Sequence, residues 1–529
     1  MMLPIPEIEV IEAGAASFGA ASQGNYDSCA FIFTPEFAKN VETCSNLFGA
    51  ASAGLVQHMS AINGKDKAFG KEVMVSMVPE VGTVVVSSPT GPLTRDYDDV
   101  RRFGDAAAKA IKRLRQGGFR RPLLIVQGPA TESSDSDPLK DYSKYLEVSL
   151  LAALAESHEA LQTRETNPSY LEETKIEKIG IVSESAERGK EVVEFATAVE
   201  EGRRLARDIG SPDPERMTSL KAAQYIEEYF KSQGHKSVKC AVERDIDVLA
   251  KEYPLLMAVA RASLQVSRHH PCVVELEYRS PEQSQVQEEL YFIGKGINYD
   301  TGGADLKVGG NMVGMSRDKC GAAAVAGLIA TAAKLQPKNV NIRARLAFVR
   351  NSIGPDSYVA DEIITSRAGV RVRVGNTDAE GRMVMTDLLA RAKEEALASD
   401  SWEKARLFTV ATLTGHVRLC YGPYTAVIDN AAARIRGVAT GLFRTALASG
   451  DAFEMSTLRR EDFVIISPTE TTQDVLQCNR TSSVGTSRGH QYPMAFMLTA
   501  AGLTSPKKGK LLFILKYLTI IYSIFRFRC

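Results

Sequence analysis

The chain lacks a net charge: 64 lysines and arginines stand against 64 aspartates and glutamates in 529 residues. A balance of that kind gives no electrostatic draw toward nucleic acid or an acidic membrane surface, and neither is expected as a partner. Its eight cysteines (29, 44, 240, 272, 320, 420, 478 and 529) include no Cys-x-x-Cys or other paired spacing. That removes a disulfide framework and leaves reduced thiols, with a cytoplasmic location as the expectation. The seven histidines form no His-x-His or His-x-x-x-His pair, and only His269 and His270 are adjacent. A catalytic metal would therefore rest mainly on carboxylates, unless scattered histidines converge in space. The first twenty residues have no basic stretch followed by an apolar one, so no secretory signal is read.

An apolar share of 44% and a charged share of 24% are those of a globular protein, and the length calls for two domains. Short apolar runs at Thr83–Ser87, Pro122–Val126 and Ile179–Val182 read as buried strands. Between the first two, Val100, Phe103, Ala107, Ile111 and Leu114 mark one helix face, with a solvated basic face opposite. A long helix over about Ala186–Asp208 is stopped by Gly210-Ser-Pro-Asp-Pro214. A helix near Ser219–Phe230 and strands near Val238 and Val273–Tyr278 continue the alternation. The fold class expected is α/β: two domains, each a mixed or largely parallel sheet flanked by helices. The boundaries read are 1–190 for the first domain, 191–210 for a linker helix, 211–503 for the second domain and 504–529 for an apolar tail.

Two stretches carry chemistry. Val370, Val372 and Val374 alternate with arginines as in a strand, and Asn376-Thr-Asp-Ala-Glu-Gly-Arg382 follows. If the backbone stays extended, Asp378, Glu380 and Arg382 point to one side, with a helix from Met383 behind them. Read singly, these acids equally serve as helix caps. The second stretch is the strand Leu290–Ile293, expected to open into a glycine-rich loop from Gly294 to Lys307 that contains Lys295 and Asp300. It matches neither a P-loop nor Gly-x-Gly-x-x-Gly, which argues against a nucleotide site. Asp318 precedes an apolar helix over Gly321–Leu335 and, taken alone, reads as its cap. Together Asp300, Asp318, Asp378 and Glu380 would repel one another in a poorly hydrated crevice, and two divalent cations would cancel that charge. Lys295 and Lys307 fit as well, because a lysine beside two dications can lose its proton.

These residues resemble the dimetal leucine aminopeptidase family, the cytosolic leucyl aminopeptidases, over roughly Leu205–Leu503. Asn376–Arg382 is the family signature unchanged, and the Lys-x-x-x-x-Asp-x-Gly-Gly loop, Lys307 and Asp318 recur at the family spacing. The resemblance implies that 211–503 is the catalytic domain of a metalloprotease that releases amino-terminal residues from short peptides with a free amino terminus. It implies that Asp300 and Glu380 bridge two divalent metals per subunit, zinc or manganese, with magnesium as a third candidate. Asp378 would complete the first site, and Lys295 and Asp318 the second. Lys307 and Arg382 would be the catalytic pair, Arg382 holding a bicarbonate that shuttles the proton. Thr412, Leu413 and Gly415 would line the substrate site, with Met315 in the specificity pocket. A homohexamer is implied too.

Thr301, Asp305, Lys319 and His416 depart from the usual family residues. With the tail, they leave as an alternative a catalytically weak or inactive structural or interaction member of the same fold. A metal-dependent phosphohydrolase would also fit the four carboxylates, but the added arginine or phosphate loop expected of one is lacking. In the tail, Leu511–Phe525 is shorter than the roughly 20 apolar residues of a membrane span and is interrupted by Lys516. The run is expected to replace the family's own ending and leave part of the sheet edge uncovered. Exchanging Thr504–Cys529 for a family-type ending is then expected to improve solubility.

Overall fold

A computed structural model describes residues 4–13, 25–39, 52–78, 82–130, 137–479, 481, 485–504 and 516–521. The chain divides into two compact units, Leu3–Glu201 with Arg444–Ala452, and Gly202–Phe443 with Phe453–Cys529. The α/β class expected from the sequence holds in both.

In the first unit the strands are β1 (Glu7–Glu12), β2 (Ser28–Phe33), β3 (Met74–Val78), β4 (Thr83–Pro89), β5 (Pro122–Val126) and β6 (Lys178–Ser183). They lie in the order β1-β6-β5-β2-β4-β3 and run parallel except for β3 against β4. Side chains alternate across a strand, so β2 feeds two cores. Ala30 and Ile32 pack with Phe103, Ile111 and Leu114 of the Arg101–Gln116 helix. Cys29, Phe31 and Phe33 pack on the opposite face with Phe37. Burial on both faces is why these strands read as unbroken apolar runs.

The second unit holds β7 (Val238–Glu243), β8 (Cys272–Tyr278), β9 (Glu288–Asp300), β10 (Val340–Asn351), β11 (Ile363–Thr365), β12 (Arg371–Arg373), β13 (Ala405–Ala411), β14 (Thr425–Asp429), β15 (Phe453–Thr457), β16 (Val475–Leu476) and β17 (Lys516–Ile521). Its main sheet has the order β15-β14-β17-β13-β9-β10-β8-β7, and β11, β12 and β16 form a small separate sheet. The centre of the main sheet is parallel, β13 to β9 to β10, with antiparallel pairing from β10 to β8 to β7. Among the described residues no helix is long and apolar enough to cross a membrane.

Three expectations are corrected. The strand read as ending at Ile293 continues to Asp300, so Gly294–Asp300 is sheet and not loop. The glycines serve close packing instead of a turn: a Cβ at Gly294 would lie 2.6 Å from Ala322 Cα in the Cys320–Leu335 helix. The valine-alternating run before Asn376 belongs to the small sheet and contributes only three strand residues. The backbone after it does not stay extended. Thr377–Ala379 forms a 3₁₀ turn and the helix begins at Glu380, before Met383. Finally, residues 516–521 of the tail fill a place inside the main sheet, parallel to β13 and antiparallel to β14. That place is therefore covered, against the expectation of an open edge; residues 505–515 and 522–529 lie outside the described residues.

Candidate active site

The site is built from β9 outward. Ile293 and Ile297 enter the core shared with the Glu380–Ala398 helix, and Lys295, two residues from each, lies on the same side of the strand. Its Nζ is 2.8 Å from Asp318 Oδ2 and 2.8 Å from Glu380 Oε1, and it donates to the Thr412 carbonyl at 2.8 Å. Nothing larger than glycine fits opposite it, since a Cβ at Gly381 would come within 2.5 Å of Lys295 Cε.

Asp300 ends the strand. Its Oδ1 accepts from Gly302 N–H at 2.9 Å and from Asn351 Nδ2 at 2.8 Å, and its Oδ2 is 3.0 Å from Lys307 Nζ. Lys307 also pairs with Asp378. Asp318 does not cap the helix it precedes: Lys319 occupies that position without a side-chain cap. Asp318 Oδ1 instead accepts from Thr412 Oγ1 at 2.7 Å. The capping reading of Asp378 fails similarly, because Asn376 caps the turn by accepting from Asp378 N–H at 2.7 Å. Beginning the helix at Glu380 puts Glu380 and Arg382 in its first turn, both buried. The Arg382 guanidinium lies over the Tyr492 ring, 4.6 Å from its centroid, and Nη1 donates to the Gln477 carbonyl at 3.1 Å.

Thus Lys295 pairs with Asp318 and Glu380, Lys307 pairs with Asp300 and Asp378, and Arg382 opens on a pocket also lined by Asp378, Leu413, Cys478 and Tyr492. Thr412 ties Asp318 and Lys295, while Gly415 starts the Gly415–Tyr421 helix just beyond. Met315 begins a 3₁₀ turn before Asp318, is half-buried and does not line that pocket.

Burial and the neighbouring carboxylates raise the pKa of Asp318, Glu380 and Asp378, the last to about 7. Burial works against the charge on Lys295 and Lys307, yet the acids around them outweigh it and hold both as ammonium ions. Four carboxylates share two cations, which leaves the site rich in negative charge. One ligand oxygen each from Asp300, Asp318 and Glu380 lie within 4.8 Å of one another. The buried Glu380 Oε2 has no hydrogen-bond partner among the described residues, nor does Arg382 Nε. Clustered oxygen donors with an orphaned carboxylate oxygen suit hard or borderline divalent cations.

Several supports were not legible in the sequence. Gln477, fully buried, accepts from Gly375 and Asn376 N–H and donates to the Asn376 and Ala379 carbonyls, clamping the acidic turn. Tyr358 donates to the Thr377 carbonyl at 2.7 Å, and Asn351 orients Asp300. All three are single polar residues outside any spaced motif. Of the departures, Asp305 accepts from Thr377 N–H at 2.7 Å and so links two loops. Lys319 is fully buried, donates to the Pro212 carbonyl, and is pushed down to about 8 by burial. His416 meets His490, as no sequence pattern indicated.

Residues 204–499, more than half of the chain, match the sequence profile of the cytosol aminopeptidase family, catalytic domain. The chain belongs to the cytosol aminopeptidase family. A Caenorhabditis elegans protein provisionally named an aminopeptidase is 37% identical over 465 residues, covering 87% of this chain and 83% of the relative. A Campylobacter jejuni protein with a provisional cytosol aminopeptidase name is 31% identical over 344 residues, 63% of each chain. Among solved structures, the bottromycin maturation enzyme BotP in complex with Mn aligns with a TM-score of 0.71 at 19% identity, covering 94% of this chain and 92% of BotP. That likeness shows a shared fold. Membership of the cytosol aminopeptidase family supports peptidase chemistry, and the oxygen-rich cluster makes divalent-metal binding the fitting complement.

Proposed function

We propose that the chain is a metal-dependent aminopeptidase that releases amino-terminal residues from short peptides with a free amino terminus. The observation that carries the reading is the buried set Asp300, Asp318 and Glu380, with an unpartnered Glu380 oxygen, beside an unpartnered arginine nitrogen at the pocket.

Asp300 and Glu380 would be shared by two divalent ions, with Asp378 serving one and Lys295 and Asp318 the other, as in the family the chain resembles. Zinc and manganese are the leading ions, magnesium a third, and the Mn in the BotP complex supports the second. When bound, such ions supply an acidified water and polarise the scissile carbonyl. The remaining work falls to the chain. Lys295, an ammonium ion in the metal-free protein, would lose its proton and help to hold the ions, which the charge of two nearby dications would favour. Lys307, kept charged by Asp300 and Asp378, offers its ammonium to the developing oxyanion. Arg382 keeps its proton and so acts as an anion holder, its free Nε suited to bicarbonate as the proton carrier. Leu413 gives the first side chain an apolar wall. A homohexamer in the cytoplasm belongs to the same proposal, on family grounds.

The test uses full-length protein, stripped by chelator and reloaded with Mn²⁺ or Zn²⁺, on aminoacyl amides and their N-acetylated forms. Hydrolysis that requires metal and a free amine is the expected result. Equal turnover of blocked substrates, or none after reloading, would overturn the reading.

A further inference from the structure

Outside the acidic cluster, one other group of potential ligands converges among the described residues. The Gly415–Tyr421 helix carries His416 and Cys420 four residues apart, which sets them on one face. His490, 74 residues from His416, comes to the same spot, and its Nδ1 lies 2.8 Å from His416 Nδ1. Cys420 Sγ is 3.5 Å from His416 Nδ1 and 3.7 Å from its Nε2. His490 is buried while Cys420 is exposed.

From these contacts we infer that His416, Cys420 and His490 form a binding site for one thiophilic divalent cation such as Zn²⁺, separate from the carboxylate site, with solvent as the fourth ligand. Two imidazoles and a thiolate are the donors such an ion prefers. With Zn–N near 2.0 Å and Zn–S near 2.3 Å, tetrahedral coordination sets neighbouring nitrogens about 3.3 Å apart and nitrogen and sulfur about 3.6 Å apart. From His416 the sulfur is already at that spacing, and the two nitrogens need to open by about half an ångström. The far nitrogen of His490 is 3.1 Å from Ser456 Oγ, which itself accepts from Gln491 Nε2 at 3.0 Å. An oxygen partner on the second ring nitrogen is what orients a metal-binding histidine. The thiol proton passes to solvent when the ion binds.

This inference does not depend on the proposed peptidase mechanism, since its readout is thiolate ligation. Full-length protein, stripped by chelator, is titrated with Co²⁺ and followed in the near ultraviolet. A thiolate-to-Co²⁺ charge-transfer band saturating at one ion per chain is expected, and Zn²⁺ should displace it. Cys420→Ser, at an exposed position, should abolish the band and lower bound metal by one equivalent; His416→Gln should weaken it at least tenfold. Glu380→Gln, which disturbs the carboxylate site, should leave the band in place. No band in the unaltered protein, or a band that survives Cys420→Ser, would show that the cluster is a histidine pair sharing a hydrogen bond beside a thiol and nothing more.

Discussion

The six-stranded unit buries Asp98 and the eight-stranded unit buries Glu380, and the two carboxylates are pushed in opposite directions. Burial would raise Asp98, but hydrogen bonds from Arg95 and Arg102 more than offset it and leave the group at about 2. Those guanidinium groups remain partly in solvent, so each pair is made without stranding a second charge. Glu380 has only Lys295 in contact, and Lys295 is shared with Asp318, so burial and the other acids prevail and its pKa rises. Buried acid is common to both units. At the site several carboxylates share fewer cations, and it is that shortage which a bound metal would relieve.

The largest effect is expected of Glu380→Gln. It removes one of the carboxylates that would balance the metals and should lower kcat/KM on aminoacyl amides by roughly a thousandfold, with a loss of bound metal. Full activity with two metals per chain would end the assignment. Arg382→Ala should cost about a hundredfold in turnover with metal content unchanged, because its role is to hold an anion and not an ion ligand. Loss of metal without loss of turnover per bound metal would refute that role. Gly381→Ala tests the packing beneath both: the new methyl must displace Lys295, and a tenfold loss, roughly, is expected with circular dichroism unaltered.

The legible part of the molecule was the part governed by local pattern. Pro122–Val126 appears as a strand with the bounds read from its apolar run, and the Arg101–Gln116 helix buries four of the five residues its periodicity marked, the fifth, Val100, being buried at its N-cap. The charged residues of the candidate site were legible as spaced motifs, and the fold brings them together. What the sequence could not convey was how the backbone achieves this. Glycines at 294 and 296 look like a loop, yet they sit in a strand because a helix and a neighbouring strand approach there too closely for side chains. The convergence of Asp378, Glu380 and Arg382 looked like strand alternation and is in fact a 3₁₀ turn followed by a helical turn. Gln477 and His490 act on partners 101 and 74 residues away in the chain, a range over which no periodicity carries information.

Metal binding should also reveal the raised acids. Asp378 at about 7 holds a proton through mildly acidic pH, so a divalent ion must expel it. Apparent affinity should fall as pH drops below about 7, and titration calorimetry in buffers of different ionisation enthalpy should register proton release. An affinity flat from pH 5 to pH 8, as a rough window, would contradict the raised pKa.

The smallest effect is expected at Asp98, and its sign is the point. An acid whose folded pKa is depressed adds stability that is present above its unfolded value, about 3.9, and lost as pH falls toward 2. Asp98→Asn should therefore cost about 1–2 kcal/mol at neutral pH, the lower end reflecting the solvent around both arginines. The gap from the unaltered protein should close on acidification. The metal-free carboxylate site behaves oppositely: with folded pKa values raised, it loses stability as pH rises from about 4 through about 7. Urea unfolding of the metal-free protein and of Asp98→Asn across that range separates the two. Aminopeptidase turnover should be unchanged by Asp98→Asn, since the residue touches no part of the candidate site. A gap that widened on acidification would mean the arginines do not hold Asp98 as described.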